Sequence, residues 1–212
     1  MKRKLIGYYD YTVILTYLGA ACAFCGILFA VSDRFCEAVL CLMASGLCDM
    51  FDGFVASTKT RDLSEKRFGI QIDSLSDLVS FGVMPALFVF LISDRKPVIG
   101  VLAFFYMLAG LIRLAYYNVL EEHRQEKEPE RHKSFLGLPI TTIALVLPLA
   151  FLIYTKFNLN SPALLWVSLA LCGTGFLTPV EIKYPNNIFK TLLALVGFLE
   201  VLGLFFMRAV LR

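Results

Sequence analysis

Residues 48–85 form the stretch that decides the fold, CDMFDGFVASTKTRDLSEKRFGIQIDSLSDLVSFGVMP. It places four aspartates, Asp49, Asp52, Asp73 and Asp77, within or at the mouth of two strongly apolar segments. A single carboxylate near the centre of a bilayer costs about 3 kcal/mol on insertion scales, so four of them need compensating positive charge. Neither apolar segment contains a lysine or an arginine. The sequence therefore predicts that the aspartates bind cations.

The spacing of the aspartates predicts that they act in pairs. Asp49 and Asp52 are related as i and i+3, and Asp73 and Asp77 as i and i+4. On α-helices each pair shares one face, and two helices joined by a short polar loop can bring both pairs to one site. Four carboxylates without Cys or His ligands form a hard, oxygen-rich site that favours Mg²⁺ or Mn²⁺. Two such ions can stabilise the attacking and leaving oxygens of a phosphoryl transfer.

Composition indicates an all-α polytopic membrane protein. Hydrophobic residues make up 58% of the 212 positions and charged residues 17%. Several apolar runs approach the roughly 20 residues that cross a bilayer. The formal net charge of +3 is too small to indicate a nucleic-acid partner. We expect helices near residues 11–31, 36–57, 68–93, 97–119, 138–156, 161–178 and 188–210.

The distribution of basic residues predicts the orientation of the chain. If the N-terminus is cytoplasmic, most of the 20 lysines and arginines fall on the inner side, in agreement with the positive-inside rule. The aspartates then lie toward the cytosol. We therefore expect a protein of the cell membrane whose active site faces the cytosol.

Seven positions resemble the signature of the CDP-alcohol phosphatidyltransferase family: Asp49-x-x-Asp52-Gly53-x-x-Ala56, then Gly69-x-x-x-Asp73-x-x-x-Asp77. Three further segments resemble the phosphatidylserine synthase branch, CDP-diacylglycerol–serine O-phosphatidyltransferase: FGIQIDSLSDLVSFGVMPA, GLIRLAYYNV and FLGLPITT. The glycerol-phosphate branch typically has a proline after the third aspartate and a lysine after the fourth, where this chain has Ser74 and Leu78. The resemblance extends from about residue 10 to residue 185.

The resemblance implies an architecture and a reaction. A core of six transmembrane helices would occupy residues 1–185, and the protein would be a homodimer. The apolar pattern itself adds a C-terminal membrane helix within residues 186–212, which is either a further span or tilted and partly interfacial. The serine hydroxyl would attack the phosphate that bears diacylglycerol, and CMP would leave. Two divalent cations would be bound by Asp49, Asp52, Asp73 and Asp77, and Asp77 would also act as the base.

The resemblance also implies a donor site, from which this chain departs at one position. Gly53 and Ala56 would make room for the cytidine. The family usually has an arginine after this alanine, and here the residue is Ser57. Lys59 and Arg61, from a longer loop, are candidates to supply the missing charge. The donor-binding set is therefore Gly53, Ala56, Ser57, Lys59, Arg61 and Gly69.

The acceptor site is less defined by the sequence. Ser76, Ser80, Arg113 and Lys133 are candidates to contact the acceptor or a phosphate, although packing alone explains the serines about as well. Arg113 has apolar neighbours on both sides, and two interpretations stay open for it. It either extends to the inner membrane interface or binds a phosphate.

Two alternatives to a serine transferase follow from the same residues. Within the same chemistry, the acceptor could be glycerol 3-phosphate, inositol phosphate or choline. A cation-coupled transporter also has intramembrane carboxylates, but it predicts broken helices in two related halves. Here the acidic residues lie in one helical hairpin, with no counterpart in residues 97–210.

Overall fold

The structure, a computed structural model, describes residues 7–9, 11–59, 62–126, 134–183 and 187–210. Of these, residues 56–57, 123–126, 134–135, 182–183, 187–190 and 207–210 are described by their backbone alone. Helices dominate the described chain: α1 Ile14–Val31, α2 Phe35–Ser57, α3 Leu63–Asp77, α4 Met84–Ile92, α5 Pro97–Glu126, α6 Ile143–Lys156, α7 Ala163–Leu177 and α8 Asn187–Val210. Short 3₁₀ turns, Tyr11–Val13 and Ile140–Thr142, precede α1 and α6.

Four helical spans of the described chain are long and apolar enough to cross a membrane. They are Tyr11–Val31, Phe35–Val55, Leu63–Ile92 and Pro97–Glu122. Shorter apolar helices cover Ile140–Lys156, Ala163–Leu177 and Thr191–Phe206. The predicted all-α polytopic membrane protein is confirmed. The last helix packs against α2 and α6 and buries Leu204 completely. The domain boundary at residues 185/186 stays a prediction.

The third predicted helix begins earlier than expected, at Leu63 rather than at residue 68. Asp62 caps the helix, because its Oδ1 accepts a hydrogen bond from the Glu65 backbone N–H at 2.6 Å. Glu65 Oε2 in turn accepts from the Asp62 N–H at 3.4 Å. This reciprocal capping box stabilises a polar first turn, which an apolar pattern cannot reveal.

Two short strands, β1 Ser134–Leu136 and β2 Glu181–Lys183, were not predicted. They pair antiparallel, with Phe135 opposite Ile182. The pairing joins the segment after α5 to the segment after α7. Three-residue strands leave too short a pattern to be recognised in a sequence.

Aromatic packing fills the half of the bundle that is remote from the aspartates. Phe88, which is 1% exposed, packs edge-on against Phe35 and Phe151, with ring centroids 5.7 and 5.6 Å away. Near the middle of α2, the chain approaches α6 closely, because a Cβ built on Gly46 would lie 2.9 Å from the Ala144 Cβ. The end of the bundle that carries the aspartates therefore adjoins a tightly packed apolar core.

A π-helical turn, Leu78–Val83, joins α3 to α4 next to this apolar core. Pro85 explains the turn, because proline has no N–H to donate to the carbonyl of Phe81, four residues earlier, and its ring crowds that oxygen. The helix widens, and the Met84 N–H bonds to the Val79 carbonyl. The Tyr106 hydroxyl of α5 donates to the Phe81 carbonyl at 2.6 Å. A neighbouring helix thus satisfies the oxygen that proline leaves.

Replacing Tyr106 with Phe is expected to lower the free energy of unfolding by about 1–3 kcal/mol, because a buried carbonyl loses its donor. Thermal unfolding of the purified protein in detergent measures the change. Tyr116→Phe is the matched control, since Tyr116 lies on the same helix and is 50% exposed. The control should change stability by less than about 0.5 kcal/mol. Equal effects of the two substitutions would contradict a special role of the Tyr106 hydroxyl.

Candidate functional site

The four aspartates meet between α2 and α3. One carboxylate oxygen from each of Asp49, Asp52 and Asp73 lies within 4.8 Å of the other two. Asp77 lines the same cavity and lies beside Asp49. The predicted convergence of the two pairs is therefore confirmed. Their roles as metal ligands and base stay predictions.

The first helix contributes a wall of the cavity that the sequence interpretation missed. Thr16 of α1 donates from its hydroxyl to Asp52 Oδ2 at 3.4 Å, and Asp52 is only 9% exposed. Gly19 also lines the cavity and allows α1 to approach α2, since an added Cβ would lie 3.4 Å from the Cys48 Cβ. A signal was present, because Thr16, Gly19, Ala23 and Gly26 form a stripe of small residues on one face of α1.

Hydroxyl groups surround the carboxylates. Ser45 Oγ donates to the Gly19 carbonyl at 2.9 Å, and Ser76 Oγ donates to the Thr16 carbonyl at 3.2 Å. Both bonds connect α1 to a helix that carries aspartates. The contact of Ser76 with an acceptor stays a prediction, and its observed bond holds the cavity walls together. Ser80 also lines the cavity.

The chemistry of the cavity fits hard divalent cations. Its described lining contains four carboxyl groups but no Lys, Arg or His side chain. Carboxylate and hydroxyl oxygens are the ligands that Mg²⁺ and Mn²⁺ prefer. Like charges at this separation repel strongly where water is scarce, and bound dications would remove that repulsion.

Those predicted donor residues that the structure describes lie toward the end of the same hairpin. Gly53 is exposed on α2, and a Cβ added to it would have no atom within 4 Å. Gly69 lies half-buried on α3. The Lys59 Nζ is 3.5 Å from Glu65 Oε1, at the mouth of the loop. The side chains of Ala56 and Ser57, and all of Arg61 and Lys133, lie outside the described residues.

Arg113 is buried at a different place in the fold. It is 7% exposed and does not line the aspartate cavity. Its Nη1 donates to the carbonyls of Leu136 at 2.8 Å and Phe176 at 3.4 Å, and its guanidinium lies over the Tyr117 ring. These contacts tie the end of β1 to the C-terminal end of α7. Binding of a phosphate by Arg113 stays a prediction, while the observed contacts are structural.

A close backbone approach accompanies this arginine. Gly137 has a φ of +67°, and a Cβ on it would lie 2.7 Å from the Thr178 carbonyl oxygen. Only glycine fits this left-handed, crowded position without strain. The chain segments that Arg113 joins are thus packed backbone to backbone.

The family model described as CDP-alcohol phosphatidyltransferase matches residues 12–174. The chain is 30% identical over 203 residues to the CDP-diacylglycerol–serine O-phosphatidyltransferase of Methanocaldococcus jannaschii, covering 95% of this chain and 87% of that relative. A Bacillus subtilis protein of the same name is 32% identical over 152 residues, covering 71% and 75%. One from Saccharomyces cerevisiae is 40% identical over 109 residues, which are 50% of this chain and 38% of that relative.

Proposed function

We propose that this chain, which belongs to the CDP-alcohol phosphatidyltransferase family, transfers the phosphatidyl group of CDP-diacylglycerol to the hydroxyl of L-serine. The products would be phosphatidylserine and CMP. Relatives that carry this activity in their names support the choice of substrates. The observation that carries the proposal is the single cavity in which four aspartates from two neighbouring helices meet.

The aspartates would hold two divalent cations, Mg²⁺ or Mn²⁺. Asp49, Asp52 and Asp73 are the proposed ligands whose oxygens already lie within 4.8 Å of one another, and Asp77 would complete the set. When bound, the cations would neutralise the pyrophosphate and stabilise the charge that develops during transfer. The buried Asp52 is oriented by Thr16, so one ligand position is fixed by the fold.

Asp77 is the proposed base. Its carboxylate would take the proton of the serine hydroxyl while the hydroxyl oxygen bonds to the phosphorus that carries diacylglycerol. The bond between this phosphorus and the bridging oxygen of CMP breaks, and CMP leaves with the electron pair. A base must lie within hydrogen-bond reach of the proton it removes, and Asp77 lines the cavity in which that hydroxyl would lie.

The charge of the cavity favours an acceptor without a phosphate. Binding glycerol 3-phosphate or inositol phosphate would place a second anionic group in a site whose described lining has no cationic side chain. Phosphate groups are typically bound by arginine, lysine or helix N-termini. A zwitterion such as serine adds no net charge.

The donor site is proposed at the end of the hairpin, at Gly53, Ala56, Ser57, Lys59, Arg61 and Gly69. The pyrophosphate of the donor would lie at the cations, and its cytidine would lie against the exposed end of α2. The open space beside Gly53 is compatible with this position. The distribution of basic residues leads us to assign the site to the cytosolic face of the cell membrane. The family resemblance leads us to propose that the protein is a homodimer.

Gly53→Ala is expected to raise the KM for CDP-diacylglycerol about tenfold, because the added methyl group would occupy space needed by the nucleotide. Folding should not suffer, since alanine is favoured over glycine in helices by about 1 kcal/mol and the methyl meets no protein atom. Steady-state kinetics and thermal unfolding separate the two effects. Gly100→Ala on α5 is the control and should leave both KM values unchanged. An unaltered donor KM in Gly53→Ala would count against a donor contact there.

The proposed function is tested by incubating the purified protein with CDP-diacylglycerol, Mn²⁺ or Mg²⁺, and a panel of labelled alcohols. Incorporation of serine, with stoichiometric release of CMP, is the expected result. Incorporation of another alcohol in preference to serine would overturn the assignment of the acceptor. The same assay in sealed membrane vesicles of either orientation tests on which face the site lies.

A further inference from the structure

Ser80 has an unusual environment for a serine inside a helical span. It is 1% exposed, and among the described residues its Oγ has no hydrogen-bond partner. A buried hydroxyl without a partner costs about 1–3 kcal/mol, so a ligand that supplies one is favoured. Ser80 also lines the aspartate cavity. The unpartnered hydroxyl therefore lies where a substrate would bind.

Two other buried serines in the described helices have a hydrogen-bond partner. Ser93 donates to the carbonyl of Val89 at 2.6 Å, and Ser168 donates to the carbonyl of Leu164 at 2.8 Å. This bond to the carbonyl four residues earlier is the ordinary solution for a buried helical serine. Ser80 lies in the π-helical turn Leu78–Val83, where the backbone geometry is different. Such turns are frequent at functional sites.

The other hydroxyls of the cavity already donate to protein atoms. Thr16 donates to Asp52, Ser45 to the Gly19 carbonyl and Ser76 to the Thr16 carbonyl. Among the side chains described around the cavity, Ser80 is thus the one hydroxyl whose proton is uncommitted. The remaining polar side chains there are aspartates, which accept hydrogen bonds when ionised.

We propose that Ser80 Oγ donates a hydrogen bond to the carboxylate of the acceptor amino acid and so determines acceptor specificity. This inference rests on the proposed serine transferase function. An anionic group in a cavity of carboxylates needs a donor, and the ammonium group of serine can use aspartate oxygens instead. Asp77 is the last residue before the π-helical turn that contains Ser80, and both side chains line the cavity. A bound serine would therefore place its hydroxyl at Asp77 and its carboxylate at Ser80.

The test is the effect of Ser80→Ala on the two substrates separately. We expect the KM for serine to rise about 10- to 100-fold, the range for a hydrogen bond to a charged group. The KM for CDP-diacylglycerol should stay within about twofold of the original value. Ser80→Cys, which keeps the size of the side chain and a weaker donor, should give an intermediate KM for serine. It also keeps the test available if the alanine variant does not fold.

Ser168→Ala is the matched control, because Ser168 is 6% exposed and its hydroxyl donates within its own helix, to the carbonyl of Leu164. It should leave the KM for serine unchanged. An unchanged serine KM in a folded Ser80→Ala protein, or an equal rise in both KM values, would overturn the inference. The proposed function fails separately, if the unsubstituted protein forms no phosphatidylserine.

Discussion

Replacing Asp77 with Asn is expected to lower kcat by about 10²–10⁴-fold, the usual contribution of a general base. Asparagine has nearly the same shape but cannot accept the hydroxyl proton at neutral pH. Asp49, Asp52 and Asp73 keep their ligand oxygens within 4.8 Å of one another, so binding of CDP-diacylglycerol should be largely retained. Single-turnover formation of phosphatidylserine, with equilibrium binding of the donor, measures the two effects independently.

Asp33→Asn is the control for this substitution. Asp33 is exposed in the turn between α1 and α2 and has a φ of 59°, a conformation that asparagine adopts readily. Its kcat should match that of the unsubstituted protein. Release of CMP at the normal rate by Asp77→Asn would refute the assignment of the base. Loss of donor binding in the same variant would indicate instead that Asp77 acts mainly as a metal ligand.

The convergence of the aspartates could be predicted from the sequence because it depends on local geometry. Intervals of three and four residues place each pair on one helical face, and the short link between the helices limits how far apart the pairs can lie. The membrane adds a second constraint, since isolated charges in apolar helices are too costly to be left unpaired. The seven-position motif then connected that geometry to a reaction.

Other parts of the site depend on contacts between distant segments, which no local pattern encodes. Thr16 approaches Asp52 across 36 positions of the chain, and Tyr106 reaches the carbonyl of Phe81 across 25. The role of Arg113 shows the same limit. An arginine flanked by apolar residues predicts either a bound phosphate or a position at the inner membrane interface. The observed acceptors of Arg113 are instead the backbone carbonyls of Leu136 and Phe176. Backbone acceptors are available in every sequence and so leave no signal.

The π-helical turn connects the tightly packed apolar core to the site. Pro85 could be located in the sequence, but its consequence depends on which neighbour satisfies the Phe81 carbonyl. With Tyr106 as donor, the wide turn is held between the apolar core and the aspartates. Asp77 is the last residue before this turn, and Ser80 lies within it. The same distortion therefore sets the position of the proposed base relative to the proposed acceptor contact.

Removing divalent cations is expected to abolish turnover and to lower the melting temperature of the protein. Cations at about 100 times their Kd stabilise the folded state by about 2.7 kcal/mol, which for a chain of this size corresponds to roughly 5–10 °C. The physical reason is the repulsion among carboxylates that share one cavity, which the bound ions neutralise. Thermal unfolding in detergent with a chelator, and then with added Mn²⁺ or Mg²⁺, measures the effect without reference to activity.

Asp73→Asn makes this prediction sharper, because its effect on stability should reverse with the conditions. Without cations, at a pH high enough for the carboxyl groups to be ionised, the variant should melt at a higher temperature than the unsubstituted protein, since one repelling charge has been removed. With cations it should melt at a lower temperature, because a ligand has been lost. Asp94→Asn, in the exposed turn after α4 with a φ of 57°, should change neither value. Only a carboxylate that binds an ion links the stability of the protein to the concentration of the metal. If Asp73→Asn destabilised the protein equally in both conditions, the Asp73 carboxylate would contribute to the packing of the helices and not to ion binding.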